Sequence, residues 1–266
     1  MADTLNKIPI IEVKDLVTRF DGQLVHQNLN LTINSERIVV IIGASGCGKT
    51  TLVREILMLQ PIDSGEIYLL GEQISSYDIE SEYTKYVLSK MGMMFQRGAL
   101  FSSLTVLENV MFPLFEYTKF SHETIKEIAY LKLRLTGLEE QAYNRYPTEI
   151  SGGMLKRVAL ARTLALDPKV IFLDEPTAGL DPNSAAGFDE LIATLQHQLG
   201  LTVILITHDL DTIWRVADEV VYLGEKKVLF HDSVENAANS TIPELYEYFN
   251  GSRGQIIKTF YTQGKK

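Results

Sequence analysis

Gly43-Ala44-Ser45-Gly46-Cys47-Gly48-Lys49-Thr50 has the spacing G-x-x-x-x-G-K-S/T and lies between an apolar strand-sized run and a helix-forming segment. Glycines at these positions let backbone N–H groups turn toward an anion, and the helix that follows adds the positive end of its dipole. Lys49 can reach the outer phosphates of a bound polyphosphate, and the Thr50 hydroxyl can ligate Mg²⁺. Cys47, the single cysteine, reads as a small filler within the loop. Further along, the apolar run Val170 to Leu173 ends in Asp174-Glu175, a carboxylate pair that is costly to desolvate unless it is used. Beside a phosphate loop, Asp174 suits Mg²⁺ through its water shell and Glu175 suits an attacking water. His208 follows the run Thr202 to Thr207 and so emerges at the carboxyl edge of a sheet, which points to sensing of a terminal phosphate. His26, His122, His197 and His231 have no such placement. Gln96 closes the run Met91 to Phe95, where its amide can contact Mg²⁺ or the attacking water. Ser151-Gly152-Gly153 at the start of a helix is a second ready anion site, and the sequence leaves open whether both sites face one ligand.

These residues need a frame that brings strand ends together. Short β runs are expected at Ile10 to Val13, Leu29 to Ile33 and Ile38 to Ile42, followed by a helix from about Lys49 to Leu59 and a strand from Glu66 to Leu70. From about 97 to 165 the pattern turns helical, with helices expected at Thr105 to Phe112, Glu123 to Thr136 and Met154 to Leu166. Strand and helix then alternate: strands Val170 to Leu173, Thr202 to Ile206 and Val220 to Leu223, helices Asn183 to Leu199 and Leu210 to Ala217. Such alternation predicts an α/β fold with a mainly parallel core sheet and an inserted helical subdomain. Residues 1–250 are expected to form one domain, and 251–266 a polar C-terminal tail.

With 266 residues there is room for one such domain but not two. A net charge of -9 argues against broad binding to nucleic acid or anionic lipid. No apolar run approaches the roughly 20 residues that span a bilayer, and the N-terminus has no secretory pattern, so residence in the cytoplasm is the expectation.

Taken in order, these motifs make the chain resemble ABC ATPases from about Ile10 to Phe230. The resemblance implies an antiparallel N-terminal β subdomain, and ATP hydrolysis by a head-to-tail dimer of two copies of this chain. ATP would lie between the Gly43-to-Thr51 loop of one copy, Thr51 included, and Ser151, Gly152 and Gly153 of the other. Asp181, in Ala178-Gly-Leu-Asp-Pro182, matches the loop that links the two sites, and Phe20 stands where the family stacks an aromatic ring on adenine. Ile150 and Met154 depart from the common Leu-Ser-Gly-Gly-Gln signature. Together with the run from Arg97 to Pro113, that departure resembles the ATPases of phospholipid transporters that work with MCE proteins.

The narrower resemblance implies three partners: an integral membrane permease, a periplasmic MCE ring protein and a small STAS-domain protein. Location would then be the cytoplasmic face of a bacterial inner membrane, held there through the permease. The apolar excess in Phe101, Leu104, Val106, Leu107, Met111, Phe112, Leu114 and Phe115 fits either a groove for the permease or ordinary core packing. Ile256, Ile257, Phe260 and Tyr261 either pack on a neighbouring subunit or belong to a frayed end. Two other functions compete: the ATPase of a polar-solute importer, such as one for amino acids, and a soluble ABC protein acting on ribosomes or DNA. Met154 and Gly98-Ala-Leu-Phe-Ser disfavour the first, and the single acidic domain disfavours the second.

Overall fold

A tight turn at Asp21-Gly22, with both residues at positive φ, joins the first two strands. Strands β1 (Ile11–Phe20) and β2 (Gln23–Ile33) are therefore one long hairpin, where the sequence pattern suggested two separate short runs. The computed structural model describes residues 9–75, 81–96 and 98–263, so Arg97 and both chain ends lie outside the described residues. It divides into two units, Met1–Thr84 with Thr202–Lys266, and Lys85–Leu201.

In the first unit an antiparallel sheet has the order β2-β1-β4-β5, with β4 at Ser64–Leu69 and β5 at Glu72–Gln73. Alternate residues point inward: Ile11 lies opposite both Ile33 and Leu69, and Val13 opposite both Leu31 and Ile67, all six buried. The second sheet layer of this unit is built on β3 (Ile38–Gly43). β3 is hydrogen-bonded in parallel to β8 (Thr202–Ile206) on one side and to β9 (Glu219–Gly224) on the other, and β10 (Lys227–Ser233) adds an antiparallel edge. Ile38 to Ile42 are all buried, as a strand flanked on both sides must be. Each such side chain stabilises the unit by about 1.5–3 kcal/mol. Helix α1 (Lys49–Ile56) follows β3, and α7 (Leu210–Val216) follows β8. The C-terminal segment is helical over Ser252–Gln263, where the sequence pattern suggested no regular element. Helices α8 (Val234–Ala238), α9 (Pro243–Asn250) and α10 (Ser252–Gln263) follow β10. The Tyr261 ring stacks on Trp214 of α7 with centroids 6.5 Å apart.

The second unit carries a parallel pair, β6 (Met91–Met94) and β7 (Val170–Asp174), with Met94 opposite Leu173. Between them lie α3 (Val106–Tyr117), α4 (His122–Leu135) and α5 (Gly152–Thr163), whose apolar faces share one core of residues drawn from Val106 to Ala165. Here the expected helical insertion is found, though α3 continues through Pro113 to Tyr117. The apolar excess of α3 divides. Val106, Leu107, Met111 and Leu114 enter the core, whereas Phe101, Phe112 and Phe115 stay exposed. Helix α2 (Glu82–Leu88) precedes β6, and α6 (Pro182–Leu199) follows β7. No helix among the described residues is long and apolar enough to cross a membrane.

Asn109, fully buried in α3, ties down the turn before that helix. Its Oδ1 accepts from Phe101 N–H at 2.8 Å, and its Nδ2 reaches the carbonyls of Phe101, Leu104 and Thr105 at 2.9–3.1 Å. Replacing it with leucine would strand these groups in the interior, where each costs about 1–3 kcal/mol. Asn109→Leu is therefore expected to lower unfolding stability by about 2–4 kcal/mol in urea titration. A loss below about 0.5 kcal/mol would show that water takes over these bonds.

Candidate functional site

Helices α2 to α8 each begin with a side chain that accepts from a first-turn N–H group, Ser81 for α2 and Ser233 for α8. Thr105 does so for α3, Ser121 for α4, Ser151 for α5, Asp181 for α6 and Asp209 for α7. Helix α1 differs: its N-cap is Gly48, with no side-chain bond and no acidic residue in the first turn. Its positive end is left uncompensated by the chain, as a phosphate site requires. Gly48 has φ 102, a left-handed geometry in which a Cβ would also lie 2.4 Å from His26 Nε2. At the other end of the loop, a Cβ on Gly43 would meet the Leu223 carbonyl at 2.4 Å. Lys49 Nζ bonds the carbonyls of Gly43 and Ala44 at 2.8 and 2.9 Å, which places the ammonium over the loop.

β3 and β8 are parallel and in register, Ile41 opposite Ile206, so the loop after Gly43 and the segment after Ile206 leave at the same edge. His208 is exposed there, and its carbonyl accepts from the Tyr248 hydroxyl at 3.0 Å. Phe20 ends β1 and is 60% exposed, so its ring face is open to a partner.

In the second unit Asp174 is the last residue of β7, and Glu175 leaves the strand with φ 46, a strained value for a side chain of this kind. Gln96 lies two residues beyond the parallel neighbour β6 and is exposed. One side chain joins these two strand ends. Lys156, buried in α5, donates from Nζ to the Gln96 carbonyl at 2.6 Å and to the Glu175 carbonyl at 3.4 Å. Burial pushes the Lys156 ammonium below the usual lysine range, against the opposing pull of the Glu175 and Asp174 carboxylates. Arg162 anchors the next stretch, donating to the Gly98 and Ala99 carbonyls at 2.7 and 2.8 Å. Neither residue stood out in the sequence, where both read as ordinary members of a helix. The available signal was that Lys156, Arg157 and Arg162 are scattered among apolar residues of α5 with no separate polar face, so basic residues there need acceptors within the fold.

At the start of α5 the Ser151 hydroxyl accepts from Met154 N–H at 3.3 Å, and the Cβ positions of Gly152 and Gly153 face open space. Ile150 and Met154, the two departures from the common signature, pack against the helical core. Asp181 caps α6 by accepting from Asn183 and Ser184 N–H, both at 3.1 Å. Bonds from the Ser184 side chain and backbone hold its carboxyl below the usual range. Gly153, Leu180, Asn183 and Ser184 line a single concavity of about 290 Å³, which places the starts of α5 and α6 on one surface.

The oxygen-bearing side chains singled out for Mg²⁺ are Thr50, Gln96 and Asp174: hydroxyl, amide and carboxylate. That donor set suits a hard cation which keeps much of its water shell. Among the described residues no group of three or more His, Cys, Asp or Glu gathers into a metal cluster.

The family model described as ABC transporter matches residues 26–178. MlaF of Haemophilus influenzae, an intermembrane phospholipid transport system ATP-binding protein, is 36% identical over 252 residues, 95% of this chain and 94% of its own. PotA of the same organism, a spermidine/putrescine import ATP-binding protein, is 38% identical over 247 residues, 93% of this chain but 62% of its own. A dimeric ATP-binding cassette solved in a post-hydrolysis state with ADP and Pi superposes with a TM-score of 0.76 at 31% identity, covering 84% of this chain and 98% of that one.

Lys156→Met would keep the aliphatic stem and remove both donated bonds. It is expected to cost about 1.5–3 kcal/mol of stability and to speed amide exchange in residues 95–99 and 175–178, read by hydrogen-exchange mass spectrometry. Unchanged exchange in both segments would mean that Lys156 does not tie the strand ends.

Proposed function

This chain belongs to the ABC transporter family of ATP-binding proteins, and from that premise we propose that it is the ATPase subunit of a phospholipid transporter acting between the inner and outer membranes of a Gram-negative bacterium. The end-to-end match to MlaF carries the proposal: 94% of that protein is covered here, against 62% of the polyamine-import relative. ATP would bind with its phosphates against the Gly43-to-Thr51 loop and the uncapped start of α1, while Phe20 stacks on the adenine. Lys49 would exchange the Gly43 and Ala44 carbonyls for phosphate oxygens. Thr50, Asp174 and Gln96 would hold Mg²⁺, which when bound neutralises charge on the phosphates.

Glu175 would orient a water in line with the γ-phosphorus. The water oxygen bonds to phosphorus as the bond to the β-phosphate oxygen breaks, giving ADP and phosphate, and the proton lost by water passes toward Glu175. His208 would report the γ-phosphate. Ser151, Gly152 and Gly153 of a second copy would close on the same phosphates, and the concavity shared by the starts of α5 and α6 suits that contact. Asp181 would link the two sites.

For the partners the reading is an MlaE-like permease, an MlaD-like MCE ring protein and an MlaB-like STAS-domain protein, with this chain peripheral on the cytoplasmic face. A cavity of about 370 Å³ lined by Phe95, Phe101, Phe112 and Tyr117 offers an apolar seat for a permease helix. Residues 251–266 would serve as an extension packing on a neighbouring subunit, with Ile256 and Phe260 exposed on α10 for that contact.

Glu175→Gln is expected to retain MgATP binding, to lower turnover by about 10²-fold or more, and to trap a dimer by size-exclusion chromatography with light scattering. Normal turnover would remove Glu175 from the water-activating role. Lys49→Ala is expected to weaken MgATP binding, and unchanged binding would sink the phosphate-loop assignment. Gentle purification of the membrane complex followed by mass spectrometry should find a permease, an MCE protein and phospholipid. A solute-binding protein without lipid would refute the cargo reading.

A further inference from the structure

The strand next to the phosphate loop holds a buried polar triad that the chemistry above does not use. His26 on β2 is wholly buried, as are Thr18 on β1 and, to within 2%, Glu55 on α1. His26 Nε2 lies 3.2 Å from the Gly48 carbonyl oxygen, and since a carbonyl only accepts, Nε2 carries the hydrogen. On the other side of the ring, Nδ1 lies 3.2 Å from both Thr18 Oγ1 and Glu55 Oε2. The Glu55 carboxylate has no aligned hydrogen bond at either oxygen. A buried carboxyl group whose nearest polar neighbour is one imidazole nitrogen adds little to stability, and apolar side chains of similar size would pack there at least as well.

What the triad does fix is a peptide plane. The Gly48 carbonyl takes both His26 Nε2–H and the first turn's Leu52 N–H, the latter at 2.8 Å. Because the peptide is planar and trans, holding that oxygen also sets the direction of Lys49 N–H, which points the opposite way, out of the helix start. The same ring packs against Gly48 where a Cβ would be, so only glycine fits beneath it.

We propose that His26 is a positioning residue for ATP binding: oriented by Glu55 and Thr18, it pins the Gly48 carbonyl so that the Lys49 N–H and the loop beside it face the phosphates before nucleotide arrives. The proposal rests on the ATPase reading. Preorganisation of this kind would show in nucleotide affinity more than in fold stability.

The test is calorimetric titration of the full chain with MgATP, with thermal unfolding in parallel. His26→Leu should weaken binding about tenfold, the worth of one well-placed bond. His26→Gln, whose amide N–H can reach the position of Nε2, should stay within about threefold of the parent. The double variant His26→Leu with Glu55→Leu removes the buried polar groups together, so its Tm should return to the parent's or exceed it while MgATP binding remains about tenfold weak. Parent-like affinity in the double variant would overturn the proposal and leave the triad as core filling. A measurement on the unaltered protein needs no variant to fold: with ¹⁵N-histidine labelling, His26 Nε2 should carry a slowly exchanging proton before MgATP is added, and an Nε2 without one would also overturn the idea. Lys49→Ala serves as the control for the underlying reading. If it binds MgATP as the parent does, the phosphate site itself is wrong, whereas weak binding there with parent-like binding in His26→Leu rejects only the role of His26.

Discussion

A backbone N–H can be offered to an anion only if nothing within the chain has already claimed it, and the site depends on that constraint at α1. The chain caps α3, α4, α5, α6 and α7 with side-chain oxygens, and at α1 it places a glycine instead. An uncapped helix start gives up roughly 0.5–2 kcal/mol that Ser, Thr, Asp or Asn would supply. The surrounding fold offsets that loss. β3 is buried between two parallel neighbours, and the loop after it is closed by contacts that admit only glycine at Gly43 and Gly48.

Loops that must present groups to a ligand cannot also be held by their own ladders of hydrogen bonds, and in this protein side chains from packed elements hold them instead. Lys156 and Arg162 on α5 take the carbonyls of Gln96, Gly98, Ala99 and Glu175. Asn109 does the same for the turn before α3. A cation in a helix interior is expensive unless its protons are used, so each of these residues exchanges hydration for several directed bonds. The gain is loops set in place by rigid helices while their outward faces stay open.

How much was legible in advance follows from the range of each interaction. The phosphate loop, the Asp174-Glu175 pair and the helix start at Ser151 depend on contiguous residues, and the sequence displays them directly. Their family assignment followed, and the match over residues 26–178 bears it out. The long hairpin was harder to see, because β1 and β2 are interrupted by register shifts and by Asp15 at positive φ, which break the alternation that marks a strand. The terminal helix α10 was missed because its polar composition hides the few contacts that fix it, among them Tyr261 on Trp214.

By itself, then, the sequence determined the class of fold and the ATPase family, and it displayed the residues proposed for the phosphate chemistry, since those signals lie within short stretches of chain. Only the tertiary structure decided which side chains hold those residues in place. His26 had no distinguishing neighbours in sequence. Its role follows from lying beside Gly48, 22 residues away, and against Glu55 on the far turn of α1. Lys156 likewise gains its meaning from a carbonyl 60 residues distant. Contacts of this kind are set by packing of separate elements against one another, and a burial that leaves a polar group one acceptor within reach turns an ordinary residue into a structural part of the site.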